Sequence, residues 1–184
     1  STAKWRVLVT PLKAGEHPLG FAQALSVAVS NQGGSGRGMG LFDRMFRSWQ
    51  RVQLHTDNDL TTVRPLPRDD RPEDFTGAIG MFLVRKPEVS RTEVKAGEPV
   101  VLTLEIQGEG NFERFQPPMP QTTPQWRVYE PEATFAGTDE LGHRGRRTLE
   151  YTMIPRQPGE QTTPKLAFSF FNPNTEQYAT LDIP

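Results

Sequence analysis

Between Val100 and Gln107 the chain alternates strictly. Val100, Leu102, Leu104 and Ile106 occupy every second position, and Thr103, Glu105 and Gln107 stand between them. Side chains two apart share a face only in an extended strand, so this stretch must put one face in a core and one in water. Such a strand is unstable alone and needs neighbours of the same kind. They are present. Leu149, Tyr151 and Met153 alternate with Thr148, Glu150 and Thr152, and Leu166, Phe168 and Phe170 make a third apolar row. Reading on from Gly77, strands are expected over 79–84, 92–94, 100–107, 126–130, 147–154, 164–171 and 177–183. Lys95-Ala-Gly97-Glu-Pro99 and Asn172-Pro-Asn-Thr175 supply turn chemistry between them. Short strands at this density predict an all-β fold, specifically an immunoglobulin-like β-sandwich over 77–184. The 17 prolines and 16 glycines suit many strands joined by turns and argue against a helical bundle.

The chain also repeats itself. Trp5-Arg-Val-Leu-Val-Thr-Pro11-Leu-Lys-Ala-Gly15-Glu16 matches Leu149-Glu-Tyr-Thr-Met-Ile-Pro155-Arg-Gln-Pro-Gly159-Glu160. Each reads as an alternating strand running into Pro-x-x-x-Gly-Glu. Proline ends a ladder because it has no N–H to donate, and glycine supplies the positive φ of a tight reversal. After each turn comes a second apolar run, 21–29 and 166–171, and then a short closing strand, 60–63 and 178–183. The first copy therefore reads as the C-terminal part of a second Ig-like unit, 1–66, whose opening strands are expected before Ser1. Residues 67–76 read as a linker.

Within the first unit, 32–50 reads as an insertion. Gln32 to Gly40 is rich in Gly and Ser and reads as a flexible linker. It leads into Leu41-Phe-Asp-Arg-Met-Phe-Arg-Ser-Trp49. Phe42, Met45, Phe46 and Trp49 fall at i, i+3, i+4 and i+7, one stripe of a short amphipathic helix. Two uses fit the stripe. It folds back to cover a sheet, or it binds a partner or a membrane surface. These four residues are the candidate partner-binding residues.

No catalytic constellation is legible. A net charge of -1 argues against nucleic-acid binding, which needs a basic surface. Without cysteine there is no thiol chemistry, disulfide or thiolate metal site. His17, His55 and His143 lack metal-ligand neighbours at a familiar spacing, so no metal is expected. Asp57-Asn-Asp59 and Asp69-Asp70 fall short of a calcium loop. Gly33 to Gly40 is neither a Walker loop nor a dinucleotide fingerprint, and no Gly-x-Ser-x-Gly elbow occurs. His143-Arg-Gly-Arg-Arg147 reads as a solvated basic loop. The chain is expected to be no enzyme and to carry no cofactor. It has no apolar run long enough to span a bilayer and no signal peptide, and it reads as an excised piece of a longer protein.

Several motifs resemble one family. Arg64-Pro-Leu-Pro67 and Arg71-Pro-Glu-Asp-Phe75-Thr-Gly77-Ala-Ile-Gly80 look like the junction motif of the BatD family, the aerotolerance-associated Bat proteins. Glu93-Val-Lys-Ala-Gly97-Glu-Pro99-Val-Val-Leu-Thr-Leu resembles the strand and turn that follow it there. Tyr151-Thr-Met-Ile-Pro155-Arg-Gln-Pro158-Gly159-Glu160 and the Phe-rich stretch 41–49 are also similar to family segments. The resemblance implies Ig-like domains of a membrane-anchored protein on the periplasmic, outer side of the bacterial inner membrane. Its implied partners are Bat proteins with von Willebrand A domains and, indirectly, a MoxR-type ATPase, in oxygen tolerance or stress resistance. Membrane attachment is expected only through parts of the parent chain absent here. The resemblance carries over no catalytic residue. The expected role is a non-catalytic interaction module. The alternative is a ligand-binding module, for carbohydrate for instance, using exposed aromatics such as Trp49 or Trp126.

Overall fold

The computed structural model describes residues 6–29, 48–57, 59–121 and 123–183. The chain divides into two compact units, Pro11–Leu66 and one that includes Pro67–Pro184.

The smaller unit holds β1 (Gly15–Leu19), β2 (Ala22–Val29), β3 (Ser48–His55) and β4 (Asp59–Val63). β1 pairs antiparallel with β4, and β2 with β3. Two expectations fail here. Arg6 to Thr10, read as a strand, are in no sheet and stand exposed. Alternation creates a strand only where a neighbour offers hydrogen bonds, and none does so there among the described residues. The helix expected over 41–49 is not seen either. Phe42, Met45 and Phe46 lie outside the described residues, while Ser48 and Trp49 open β3 opposite Val29 and Ala28. Pairing with the β-branched, alternating β2 overrides a local helical period.

The larger unit is the Ig-like β-sandwich. It holds β5 (Ala78–Val84), β6 (Glu88–Val89), β7 (Val100–Gly110), β8 (Trp126–Val128), β9 (Glu132–Gly137), β10 (Arg144–Pro155), β11 (Leu166–Asn172) and β12 (Gln177–Ile183). Its sheet order is β12-β11-β5-β7-β10-β8, with β6 also on β7 and β9 also on β10. The sheet folds over on itself because β5 belongs to both halves. Ala78 and Ile79 run parallel to Phe170 and Phe171, and Gly80 to Val84 then pair antiparallel with β7. The two inner faces enclose the core. Leu102, Leu104, Leu149, Tyr151, Leu166 and Phe168, all expected inside, are buried.

Two strand assignments change. Residues 92–94 form no strand. The backbone there leads into the Lys95–Glu98 turn, where Gly97, at φ 89°, donates its N–H to the Pro155 carbonyl at 2.8 Å. Glu88–Val89 pair with β7 instead. The strand β9 was not legible at all. Its Glu, Ala and Gly are poor strand formers and all six residues are exposed. It forms because one edge of the long β10 would otherwise leave its N–H and C=O groups unpaired.

Three glycines let the layers close. Gly80 faces Gly110, and Gly108 faces Phe82. A Cβ on Gly80 would fall on the Glu109 carbonyl, and one on Gly108 on the Met81 carbonyl. Both residues sit at positive φ, 151° and 153°. This close approach seats Phe82 among Phe112, Phe115, Phe168 and Phe170, with ring centroids 5.2–5.7 Å away and edge-to-face. The Asn111 side chain then locks β5 like an extra strand. It accepts from the Ile79 N–H at 2.7 Å and donates to the Gly77 carbonyl at 2.9 Å.

The loop after β7 is clamped from β10. Arg147 donates to the carbonyls of Phe112 and Phe115 at 2.9 and 2.8 Å and lies 4.8 Å over the Phe115 ring. The buried Tyr151 hydroxyl donates to the Pro118 carbonyl at 2.6 Å. Burial pushes the Tyr151 phenol well above its ordinary range, slightly offset by Arg147, and lowers the Arg147 pKa.

Gly108→Ala should cost about 2 kcal/mol or more in urea denaturation, since backbone must move. Gly97→Ala, with open space around it, should cost about 1 kcal/mol. Tyr151→Phe should cost about 1 kcal/mol at neutral pH for the lost hydrogen bond. The folded-state pKa of Tyr151 is raised. Its contribution is therefore complete below the unfolded value of about 10 and drains away as pH rises beyond it. Tyr151→Phe should flatten the fall in stability measured above that pH.

Candidate functional site

The outer face of the β5-β7-β10 sheet gathers the charged side chains that alternate with the core. Cross-strand neighbours put them within reach of one another. Glu105 lies between two arginines, with Arg85 Nε 2.9 Å from Oε1 and Arg146 Nε 3.3 Å from Oε2. Glu109 is bracketed in the same way by Arg144 Nε at 2.8 Å and His143 Nε2 at 3.3 Å. The basic stretch His143-Arg-Gly-Arg-Arg147, expected to be a solvated loop, is thus mostly strand. Arg144 and Arg146 serve this ladder on the outside, and Arg147 clamps the loop on the inside.

Beside the ladder the same face carries apolar surface. Met81 is 42% exposed and Leu83 53% exposed, both on β5. The Asn174 side-chain amide donates to Met81 Sδ at 3.1 Å, which holds the thioether in place. A shallow groove of about 440 Å³ runs from Leu83 past Gln107 and Gly108 to Ala136, walled by Arg144 and Arg146. An apolar patch rimmed by fixed charges is the usual composition of a protein-binding surface. Sequence reasoning missed it because Met81 and Leu83 sit in an apolar run, Ala78–Val84, that shows no sidedness by itself.

The candidate residues named from sequence fare differently. Phe42, Met45 and Phe46 lie outside the described residues, and Trp49 is in β3 rather than on a helix. Trp126 is only 9% exposed, and its indole N–H donates to the Thr162 carbonyl at 2.9 Å. Its faces are spent inside the fold, so it offers a sugar no stacking platform. Near it a polar hollow is lined by Gln121, Thr123, Gln125 and Gln161, where Thr123 Oγ1 and Gln161 Oε1 have no partner. That suits ordered water. Among the described residues no three His, Asp or Glu side chains are placed to hold a metal ion. Among them also, no helix is long and apolar enough to cross a membrane.

The outer ladder and the inner clamp should separate in stability measurements. Glu109→Gln should change stability by less than about 0.5 kcal/mol, because the pairs lie at the surface, with Arg144 64% and His143 39% exposed. Arg147→Met should cost about 2–3 kcal/mol through two lost charged hydrogen bonds and the ring contact, and Arg147→Lys should recover only part of that. Thermal or urea unfolding of the variants checks both.

Comparison with known proteins places this geometry. No curated protein and no solved structure matches the chain. A family model, the BatD DUF11 like domain, matches residues 87–184. That span runs from just after β5 to the end of the sandwich. It contains Glu105, Glu109, Arg144 and Arg146 of the ladder and the Arg147 and Tyr151 clamps, while Arg85 and all of β5, Leu83 included, lie before it. With more than half of its length covered by this model, the chain belongs to the BatD family.

Proposed function

We propose that the chain is a non-catalytic interaction module of a BatD-like protein, acting on the periplasmic side of the bacterial inner membrane. Its partners in this reading are Bat proteins with von Willebrand A domains, with a MoxR-type ATPase reached indirectly, in a complex that supports oxygen tolerance or stress resistance. Family membership supports the association with the Bat system. The observation that carries the interaction role is the outer face of β5, where Met81 and Leu83 stand exposed beside arginines already held by Glu105 and Glu109.

The physical case rests on preorganisation. Side chains tied to one another lose little further freedom when a partner lands on them, so more of the contact energy survives as affinity. Leu83 at the head of the groove offers the apolar anchor, and the ladder offers a polar rim that rejects partners of the wrong charge pattern.

The test uses the full-length parent protein in its native membrane. A photo-crosslinking residue replaces Leu83, and adducts are identified by mass spectrometry. Bat proteins with von Willebrand A domains are expected among them. Leu83→Asp in the affinity-tagged parent should lower their capture by at least about tenfold, as loss of a central anchor does. Unchanged capture by that variant, with no adduct from position 83, would move the interaction elsewhere.

A further inference from the structure

We propose that β9 is a self-pairing edge through which two copies of this chain join their sheets. Among the described residues β9 has one neighbour, β10. Thr138 donates its N–H to the Arg144 carbonyl at 2.8 Å. Hydrogen-bonded pairs alternate along an antiparallel ladder, so Ala136, Thr134 and Glu132 also spend their backbone groups on β10. The N–H and C=O groups of Ala133, Phe135 and Gly137 therefore point away from the sheet. All six residues of β9 are exposed.

The other margins of the sandwich are protected. β6 and β8 have only two and three residues, a length that offers another sheet little to pair with. β12 has the chain from Pro67 to Phe75 against its Tyr178, whose hydroxyl donates to the Pro67 carbonyl at 2.8 Å and whose ring meets Phe75 at 5.1 Å. In contrast, β9 contains no proline, no lysine and no inward charge, the devices that blunt a bare edge.

The edge is self-complementary in one register. Place a two-fold axis at Phe135, so that two β9 strands run antiparallel. Phe135 then faces its own copy, and Ala133 faces Gly137 of the other. Every outward N–H and C=O of these residues finds a partner. Moving the register toward Pro131 brings in a residue with no N–H to give. The same register sets Glu132 against Thr138 of the other copy, beside Arg144, which stands 64% exposed on the outer face. Thr134 meets Ala136 next to Arg146. Backbone complementarity in this register thus points to a second copy as the occupant. Phe135, 39% exposed and 5.0 Å from Phe112, gains the other Phe135 as a neighbour and extends the core aromatic cluster across the axis.

The inference rests on the backbone edge of β9 and not on Met81 or Leu83, and its failure would leave the reading of the β5 surface intact. The test uses the 184-residue chain. Sedimentation equilibrium over a concentration series should show a mass rising from 20.7 kDa toward twice that value. Ala133→Pro removes an outward N–H that β10 does not use, and should stay monomeric at every concentration with an unchanged circular-dichroism spectrum. The chain has no cysteine of its own. Thr134→Cys combined with Ala136→Cys places thiols directly opposite each other in this register, at a separation a disulfide bridges. Mild oxidation should yield a covalent dimer from the double variant and little from Thr134→Cys alone. A wild-type chain that stays monomeric at its solubility limit overturns the proposal. So does Ala133→Pro dimerising like wild type, or a double variant that does not cross-link. Should Ala133→Pro fail to fold, the cysteine pair decides.

Discussion

The larger unit is organised around the ring of Phe82. That ring meets four others, contributed by β11 and by the loop after β7. It reaches them only because the backbones of β5 and β7 come closer at Gly80, Gly108 and Gly110 than any side chain would permit. The approach also sets where β5 changes partners, passing from β11 to β7 at Gly80. Fold closure, aromatic packing and the strand switch are one constraint seen from three sides. Asn111 reinforces it by supplying Gly77 and Ile79 with the hydrogen bonds that a strand changing sheets would otherwise lose.

From that closed core the chemistry of the two faces of β10 follows. Inward, Tyr151 and Arg147 spend their polar groups on carbonyls of the 111–118 loop, so a stretch without strand pairing is tied to β10 by three hydrogen bonds. Outward, Arg144 and Arg146 pair with Glu109 and Glu105. Neighbouring residues of one strand thus do opposite work, because alternate side chains leave on opposite faces. The short basic run around residue 145 is divided between the core and the surface by this geometry alone.

The stretch 75–80, which resembles the family's junction motif, acquires a physical meaning in this frame. Phe75-Thr-Gly77-Ala-Ile-Gly80 combines a ring that packs on Tyr178, a positive-φ glycine joined to Asn111, a buried alanine and the glycine of the strand switch. Asp74, one residue earlier, accepts a hydrogen bond from the buried Ser169 hydroxyl at 2.7 Å. The residues 67–76, which read as a linker, run against β11 and β12 through these contacts. The repeated Pro-x-x-x-Gly-Glu turns keep their shared feature, since Gly15 and Gly159 both adopt positive φ, at 132° and 111°.

Alternation over 100–107 and 147–154 was enough to name those strands, their inner faces and the sandwich, because a period of two has only one structural meaning when one face is apolar; the structure extends them to Val100–Gly110 and Arg144–Pro155. The turn glycines and the family motifs were legible for the same local reason. The sequence did not reveal β9, the pairing of Glu88–Val89 rather than 92–94 with β7, or the fate of Arg6 to Thr10. Those depend on which backbone groups a distant strand leaves unpaired, and that is a property of the assembled sheet. Met81 and Leu83 became a candidate surface only once the fold had assigned the two faces of β5. The helical period at Trp49 yielded to β2 because long-range pairing outweighs a local stripe. Side-chain pattern is written residue by residue and can be read that way. Edges and exposed faces exist only after the strands have met.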